Sequence, residues 1–308
     1  MAELKQFIFF DFEMLCSDEG MSFESMEAIR LGAVKYNLQT KEVLTFDEYI
    51  KPLSTKPLSE FCKELTGIDN QHLADASSFQ QVLEQFLTWV GGIKKSRFFS
   101  WSPSDLHRLK VDSRIHGIPS STIAKIEKRY VDFQEIFTKR VSKTNASVES
   151  ALQLYGLDFI GEKHHPMYDS YNTLRIYLKF LDEPIQSDLI MLNQFIFEQE
   201  PLPFNKVNAK LNHKILEDFS QLLANDVIHM KEARKILKKT SKLVKKYNNV
   251  LINRSGLFTD ENIKLIEELV AFYHDFLNTF NEHHSFSSKV LILDHYITTN
   301  STLYLKQG

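Results

Sequence analysis

Apolar positions along the first 183 residues switch between two periods, one of about two and one of about 3.6. Residues 7–14, Phe-Ile-Phe-Phe-Asp-Phe-Glu-Met, read as a strand, and residues 28–37 and 43–52 as two more. Residues 58–65 read as a short helix stopped by Gly67, and residues 79–90 as an amphipathic helix ended by Gly91-Gly92. A strand at 97–101, a helix at 104–116 and a strand at 130–133 come next, then helices near Phe137, at 147–155 and at 169–181. Three strands first, then strands mixed with helices, predict an α/β fold with a mixed sheet and helices on its faces. Beyond Glu183-Pro184 helical periodicity dominates, with helices expected at 185–197, 208–223, 226–247, 260–280 and 287–296. The expected division is an α/β domain over 1–183 and an all-α domain over 184–308.

One strand breaks its own pattern. Asp11 and Glu13 interrupt the apolar run at 7–14, and alternation puts both carboxylates on the same side. Acids side by side in apolar surroundings are costly without a cation, whereas an edge strand could simply turn them to water. Composition narrows the chemistry little: 43% hydrophobic, 25% charged and a net charge of −3 describe a globular protein with no global basic field. Cys16 and Cys62 are the two cysteines, which favours a reducing compartment. The N-terminus lacks the regions of a signal peptide, and no apolar run approaches the ~20 residues of a membrane span. A cytoplasmic protein with no membrane association is the expectation.

Charge is concentrated in one place. Lys231, Arg234, Lys235, Lys238, Lys239, Lys242, Lys245 and Lys246 face Glu232 alone, while residues 184–308 together carry 15 Lys/Arg against 14 Asp/Glu. Ala233, Ile236, Leu237, Leu243, Val244 and Tyr247 recur at helical spacing, giving a helix with one apolar and one basic face. Lys235, Lys238, Lys239 and Lys242 are the nucleic-acid contacts this face would offer; a solvated bundle face, a protein partner or self-association through 184–308 explains the pattern equally well.

Two further elements carry candidate chemistry. Asp105 opens the helix after the strand at 97–101, where it suits a helix N-terminus as well as a metal site. His164 stands in a loop, Gly161-Glu162-Lys163-His164-His165-Pro166, five residues before Asp169 at the start of a helix. The same offset recurs at His107/Asp112 and His213/Asp218, inside helical periodicity, so spacing alone proves nothing. An acidic pair on the first strand, an acid after a later strand and His-x4-Asp before a helix together resemble the DEDDh family of 3′–5′ exonucleases. The stretches Glu27-Ala28-Ile29-Arg30-Leu31-Gly32-Ala33-Val34 and Leu58 to Ile68 are similar to that family's as well, closest to the histone-mRNA exonuclease and sporulation-inhibitor KapD branch. The resemblance covers about residues 5–183, and departs from that branch at Ser102-Pro103-Ser104, where a glycine commonly follows the tryptophan.

The resemblance implies an RNase H-like mixed five-stranded sheet and hydrolysis of single-stranded RNA or DNA from a free 3′ end, RNA favoured, to nucleoside 5′-monophosphates. It implies Asp11, Glu13, Asp105 and Asp169 as metal-binding acids for two divalent ions, Mg²⁺ or Mn²⁺, and His164 as the general base. His165, which would pair with Ser170 at that offset, is set aside. Phe12, Met14, Leu65 and Thr66 are the implied substrate contacts, although each also suits a core or capping role. An inactive nucleic-acid or protein-binding module and a proofreading-type subunit docked through 184–308 remain alternatives.

Overall fold

The computed structural model describes residues 3–198, 203–220, 222 and 227–293. Its strands are β1 (Gln6–Met14), β2 (Ala28–Asn37), β3 (Val43–Lys51), β4 (Ser77–Ser78), β5 (Ser96–Ser100), β6 (Tyr130–Asp132), β7 (Val227–His229) and β8 (Val290–Ile292). Its helices are α1 (Glu60–Thr66), α2 (Asn70–Ala74), α3 (Phe79–Val90), α4 (Pro103–Ile115), α5 (Ser120–Glu127) and α6 (Phe133–Phe137), followed by α7 (Val148–Leu154) and α8 (Pro166–Asp182). The last four are α9 (Pro184–Phe195), α10 (Val207–Ser220), α11 (Met230–Ile252) and α12 (Asp260–Ser285). The chain forms two compact units, 1–139 with 144–182 and 140–143 with 183–308.

In the first unit six strands form one sheet in the order β4-β3-β2-β1-β5-β6. β1, β2 and β3 are an antiparallel meander, while β5, β6 and β4 join in parallel. The mixed sheet is as expected, but it has six strands and not five. The addition, β4, pairs Ser77 and Ser78 with Ile50 and Lys51, and two serines carry no periodicity that could announce a strand.

β1 is central and covered on both faces. Ile8, Phe10 and Phe12 point into a core with Val82, Phe86, Leu109 and Ile126. Phe7 and Phe9 point the other way, their rings 5.3 and 5.5 Å from that of Tyr177 on α8. α3 starts and stops where local chemistry dictates: Ser78 and Gln81 form a reciprocal capping box, and Gly91 takes the left-handed cap at φ 72°.

The second unit is not all-α. β7 and β8 form a two-stranded antiparallel ladder, Val227 to Ile292 and His229 to Val290. The helices expected at 226–247 and 287–296 ran through these residues; β-branched Val227, Ile228, Val290 and Ile292 gain more from pairing across the ladder than from helix. The parts of those expected helices at 226 and 294–296, and residues 221 and 223 of the one at 208–223, lie outside the described residues. Helices α9 to α12 bury one core that includes Met191, Leu211, Ile215, Tyr247, Leu269 and Phe276. Among the described residues no helix is long and apolar enough to cross a membrane, and both cysteines are free thiols.

Candidate active site

The packing of α8 on β1 decides what meets at the end of the strand. Four residues beyond Phe7 and Phe9, about 13 Å along the strand, come Asp11 and Glu13 on the same face. Eight residues before Tyr177, about 12 Å along the helix and again on one face, comes Asp169. Aromatic packing at one end thus delivers three carboxylates to the other. Oxygen atoms of Asp11, Glu13 and Asp169 lie within 4.8 Å of one another.

Gly32 makes this approach possible. It pairs with Asp11 across the β1–β2 ladder, and a Cβ there would stand 2.0 Å from the backbone nitrogen of Met167 and 2.2 Å from the carbonyl carbon of Pro166. Ser170 Oγ donates to the Gly32 carbonyl at 3.2 Å, closing the junction. A glycine inside an apolar strand is a signal of close backbone approach; the sequence showed the glycine without showing what would approach it.

Asp105 enters from the next strand over. The β1–β5 ladder ends at Phe9 and Phe99, and beyond it the Phe12 N–H donates to Asp105 Oδ1 at 3.1 Å. Asp105 does not cap α4, since the Ser102 side chain does that by accepting from the Ser104 N–H. Asp105 repels Asp11 and raises its pKa. Asp105 therefore stands beside the cluster of three and holds the Phe12 amide of the same strand.

Burial, then repulsion from Asp105, Asp169 and Glu13, pushes Asp11 well above the carboxylate range. Burial, with repulsion from Asp169 and Asp105, lifts Glu13 to about 8; burial lifts Asp105 to about 7 and Asp169 to about 6. Arg30, opposite Glu13 in the ladder, draws Glu13 down. Its guanidinium is however engaged by Asp47, at 2.8 and 2.7 Å, and by His165 Nε2 at 2.7 Å. Clustered, oxygen-only and buried donors fit a hard divalent ion.

The two neighbouring histidines separate. His164 is exposed and sits at φ 59° in the left-handed region, and its backbone amide draws the Asp169 pKa down. The loop thus lies against the cluster while the His164 residue is open to solvent. His165 turns inward to Arg30 and Asp47, and burial, then Arg30, lowers its pKa. With Nε2 facing the guanidinium, Nδ1 is buried without a partner. The Arg30–Asp47–His165 group, completed by Tyr49 stacked on Arg30 at 4.6 Å, was not foreseen; its members are spread over 135 positions of sequence.

The remaining expected contacts divide. The Phe12 side chain belongs to the core, and Thr66 Oγ1 donates to the Cys62 carbonyl while accepting from the Ile68 N–H. Met14 is half-buried and Leu65 exposed. Lys235, Lys238, Lys239 and Lys242 are all exposed on α11 in the second unit.

Comparison with known proteins agrees with this geometry. Residues 8–177, more than half of the chain, match the model of the Exonuclease family, RNase_T. The mouse protein 3′-5′ exoribonuclease 1 is 29% identical over 187 residues, covering 56% of this chain and 52% of its own. The 3′-5′ exonuclease crn-4 of Caenorhabditis elegans is 23% identical over 213 residues, 64% of this chain and 70% of its own. The chain spans about half the length, or less, of the mammalian relatives it matches. Among solved structures, the nuclease domain of 3′hExo, a DEDDh family member bound to rAMP, has the same fold, with a TM-score of 0.54 and 23% identity over 60% of this chain and 97% of that one. Sequence and fold converge, and this chain belongs to the Exonuclease family.

Proposed function

We propose that residues 1–183 are an exonuclease domain that removes nucleoside 5′-monophosphates from the free 3′ end of single-stranded RNA, in preference to DNA, and that 184–308 is an accessory domain. The observation that carries the reading is the cluster of Asp11, Glu13 and Asp169, half-buried with their oxygen atoms within 4.8 Å of one another. Relatives named as exoribonucleases support RNA, as does a related 3′-exonuclease described in specific recognition of a histone mRNA stem-loop.

Asp11, Glu13 and Asp169 would hold the metal, two ions of Mg²⁺ or Mn²⁺. Such ions supply charge relief at phosphorus and lower the pKa of the attacking water. Asp105 fixes the Phe12 amide, so the rim of β1 cannot relax away from the scissile phosphate. His164, in the loop that lies against Asp169, takes the proton as water adds to phosphorus. The bond from phosphorus to the 3′ oxygen of the penultimate nucleotide breaks, and that oxygen leaves as a hydroxyl by taking a proton from solvent, to which His164 in turn releases its own. Leu65 and Met14 keep apolar surface for the terminal base, whereas the Phe12 and Thr66 side chains are committed to the fold.

The test is a 5′-labelled single-stranded RNA and its DNA counterpart, each with Mg²⁺, Mn²⁺ or EDTA, beside Asp11→Ala and His164→Ala. A metal-dependent ladder that shortens from the 3′ end, faster on RNA and lost in both variants, is expected. No shortening on either strand with either metal would reject the enzyme and favour a binding module.

A further inference from the structure

α11 carries seven cations that pair with no acid among the described residues. At 100° per residue its eight Lys/Arg fall within an arc of about 140°, opposite the buried Ala233, Ile236, Thr240 and Tyr247. Seven of the eight are exposed; Lys246 is held by Asp218 at 2.6 Å. Five Lys/Arg pairs stand four residues apart, Lys235/Lys239 and Lys238/Lys242 among them, and each repels along the helix. A face built only for solubility would interleave acids at that spacing. The neighbouring α12 has six acids to one lysine, yet none of them pairs with the exposed cations of α11. The two helices keep their charges apart while sharing a core.

The geometry of the stripe selects its counterpart. From Lys231 to Lys245 it runs about 21 Å with one or more cations in every turn, a linear array suited to a linear polyanion. A lipid surface fits poorly, because the apolar face that would insert is already buried: Tyr247 and Val250 are 0% exposed. At its far end the stripe reaches a cavity of about 490 Å³, where Lys246 meets Lys210, His213 and Lys214 beside Phe197. Lys214 there is tied to Glu217 and Asp218, so this wall is mixed in charge.

We propose that the exposed face of α11 binds the phosphates of a single-stranded nucleic acid. The choice of RNA as that strand rests on the exonuclease reading above; the binding itself does not. A strand captured on the same chain as the acid cluster is present there at raised effective concentration.

The experiment uses the full chain in EDTA, so that no strand is cut, and a fluorescein-labelled oligouridylate read by anisotropy between about 50 and 200 mM salt. One variant combines Lys235→Gln, Lys238→Gln, Lys239→Gln and Lys242→Gln. A charge-matched control combines Lys5→Gln, Lys94→Gln, Lys125→Gln and Lys128→Gln, all exposed in the first unit. All eight substitutions are on the surface, and circular dichroism confirms that both variants fold. Losing four phosphate contacts lowers the slope of log K against log salt by about 3, at roughly 0.7 per phosphate. Affinity at the low-salt end then falls at least about tenfold in the α11 variant alone. Equal weakening in the two variants would overturn the assignment, as would binding to phosphatidylserine vesicles or to poly-glutamate without binding to the oligouridylate. Hydrolysis of a trinucleotide by the unsubstituted chain with Mg²⁺ is measured separately. If it is absent while α11-dependent binding persists, the nuclease reading fails and this one stands.

Discussion

Glu13 shows what a buried acid does when its neighbours are acids. Its pKa stands at about 8, that of Asp105 at about 7 and that of Asp169 at about 6, each above its unfolded value near 4. A carboxyl raised in the folded state binds more protons there than when unfolded. Its contribution is therefore complete below about pH 4 and is lost as pH rises through the folded pKa. Metal-free protein should lose stability steadily between about pH 5 and 8, the opposite of the usual trend for paired carboxylates. Thermal unfolding in EDTA across that range measures it, and a flat or rising Tm would contradict the repulsion. Mg²⁺ or Mn²⁺ at pH 8 should restore the loss, because a ligand that binds only the folded state stabilises it. Asp11→Asn should raise the metal-free Tm at pH 8 by about 2–4 °C for each kcal/mol of repulsion relieved, while removing hydrolysis. The adjacent histidines should part in the same assays. His164→Ala should lower kcat by about 10²–10⁴ with little change in Tm. His165→Ala should lower Tm, since it removes a buried group at 2.7 Å from Arg30. Equal kcat losses without a Tm difference would mean that the two roles are misassigned.

At the scale of elements, the site is a junction between β1 and α8, and Gly32 is where it is most exposed to a single change. Gly32→Ala puts a methyl group 2.0 Å from backbone that cannot swing aside. The start of α8 must then lift from the sheet, carrying Asp169 and the His164 loop with it. We expect kcat to fall by more than about tenfold, since misplacement by 1 Å can cost about 10², together with a clear loss of Tm; Ala33→Gly beside it is the control for β2. Wild-type activity in Gly32→Ala would show that α8 does not depend on this approach. Legibility followed the range of the interactions involved. β1, α3 and the stops at Gly67 and Gly91 could be read because alternation, capping boxes and left-handed glycines are local. The five motif residues could be read because two of them share one strand and two share one loop and helix start. Short pieces escaped: α2 and α5 have five and eight residues, and β4 has two. β7 and β8 escaped because each is three residues whose only reason to be extended is a partner about 60 positions away. Arg30, Asp47 and His165 escaped for the same reason, since nothing near any one of them names the others.

The whole molecule adds a constraint that neither unit shows by itself. Sequence character changes at Glu183-Pro184, which invites a cut there, yet residues 140–143 belong with the second unit. Val141 is 0% and Ser142 2% exposed, and Arg140 Nη1 donates to Asn249 Oδ1 at 3.4 Å. A chain ending at Asp182 keeps every acid of the cluster and His164, but it strips this four-residue segment of its surroundings. The Arg140 contact with Asn249 would be lost. The segment lies between α6 and α7, so its disorder would spread into helices of the first unit. The fragment 1–182 should consequently unfold at a lower temperature than the first unit does within the full chain. Proteolysis of the fragment should begin near residues 138–146 and leave β1 to β5 protected. Adding Val141→Ser and Arg140→Gln to the fragment should recover part of its solubility, because they remove the apolar and cationic groups left without partners. In the full chain the same pair should do harm. A fragment that melts with the full chain's first unit and resists cleavage at that segment would mean that 140–143 folds without the second unit. The clean division at 183 would then be the better description.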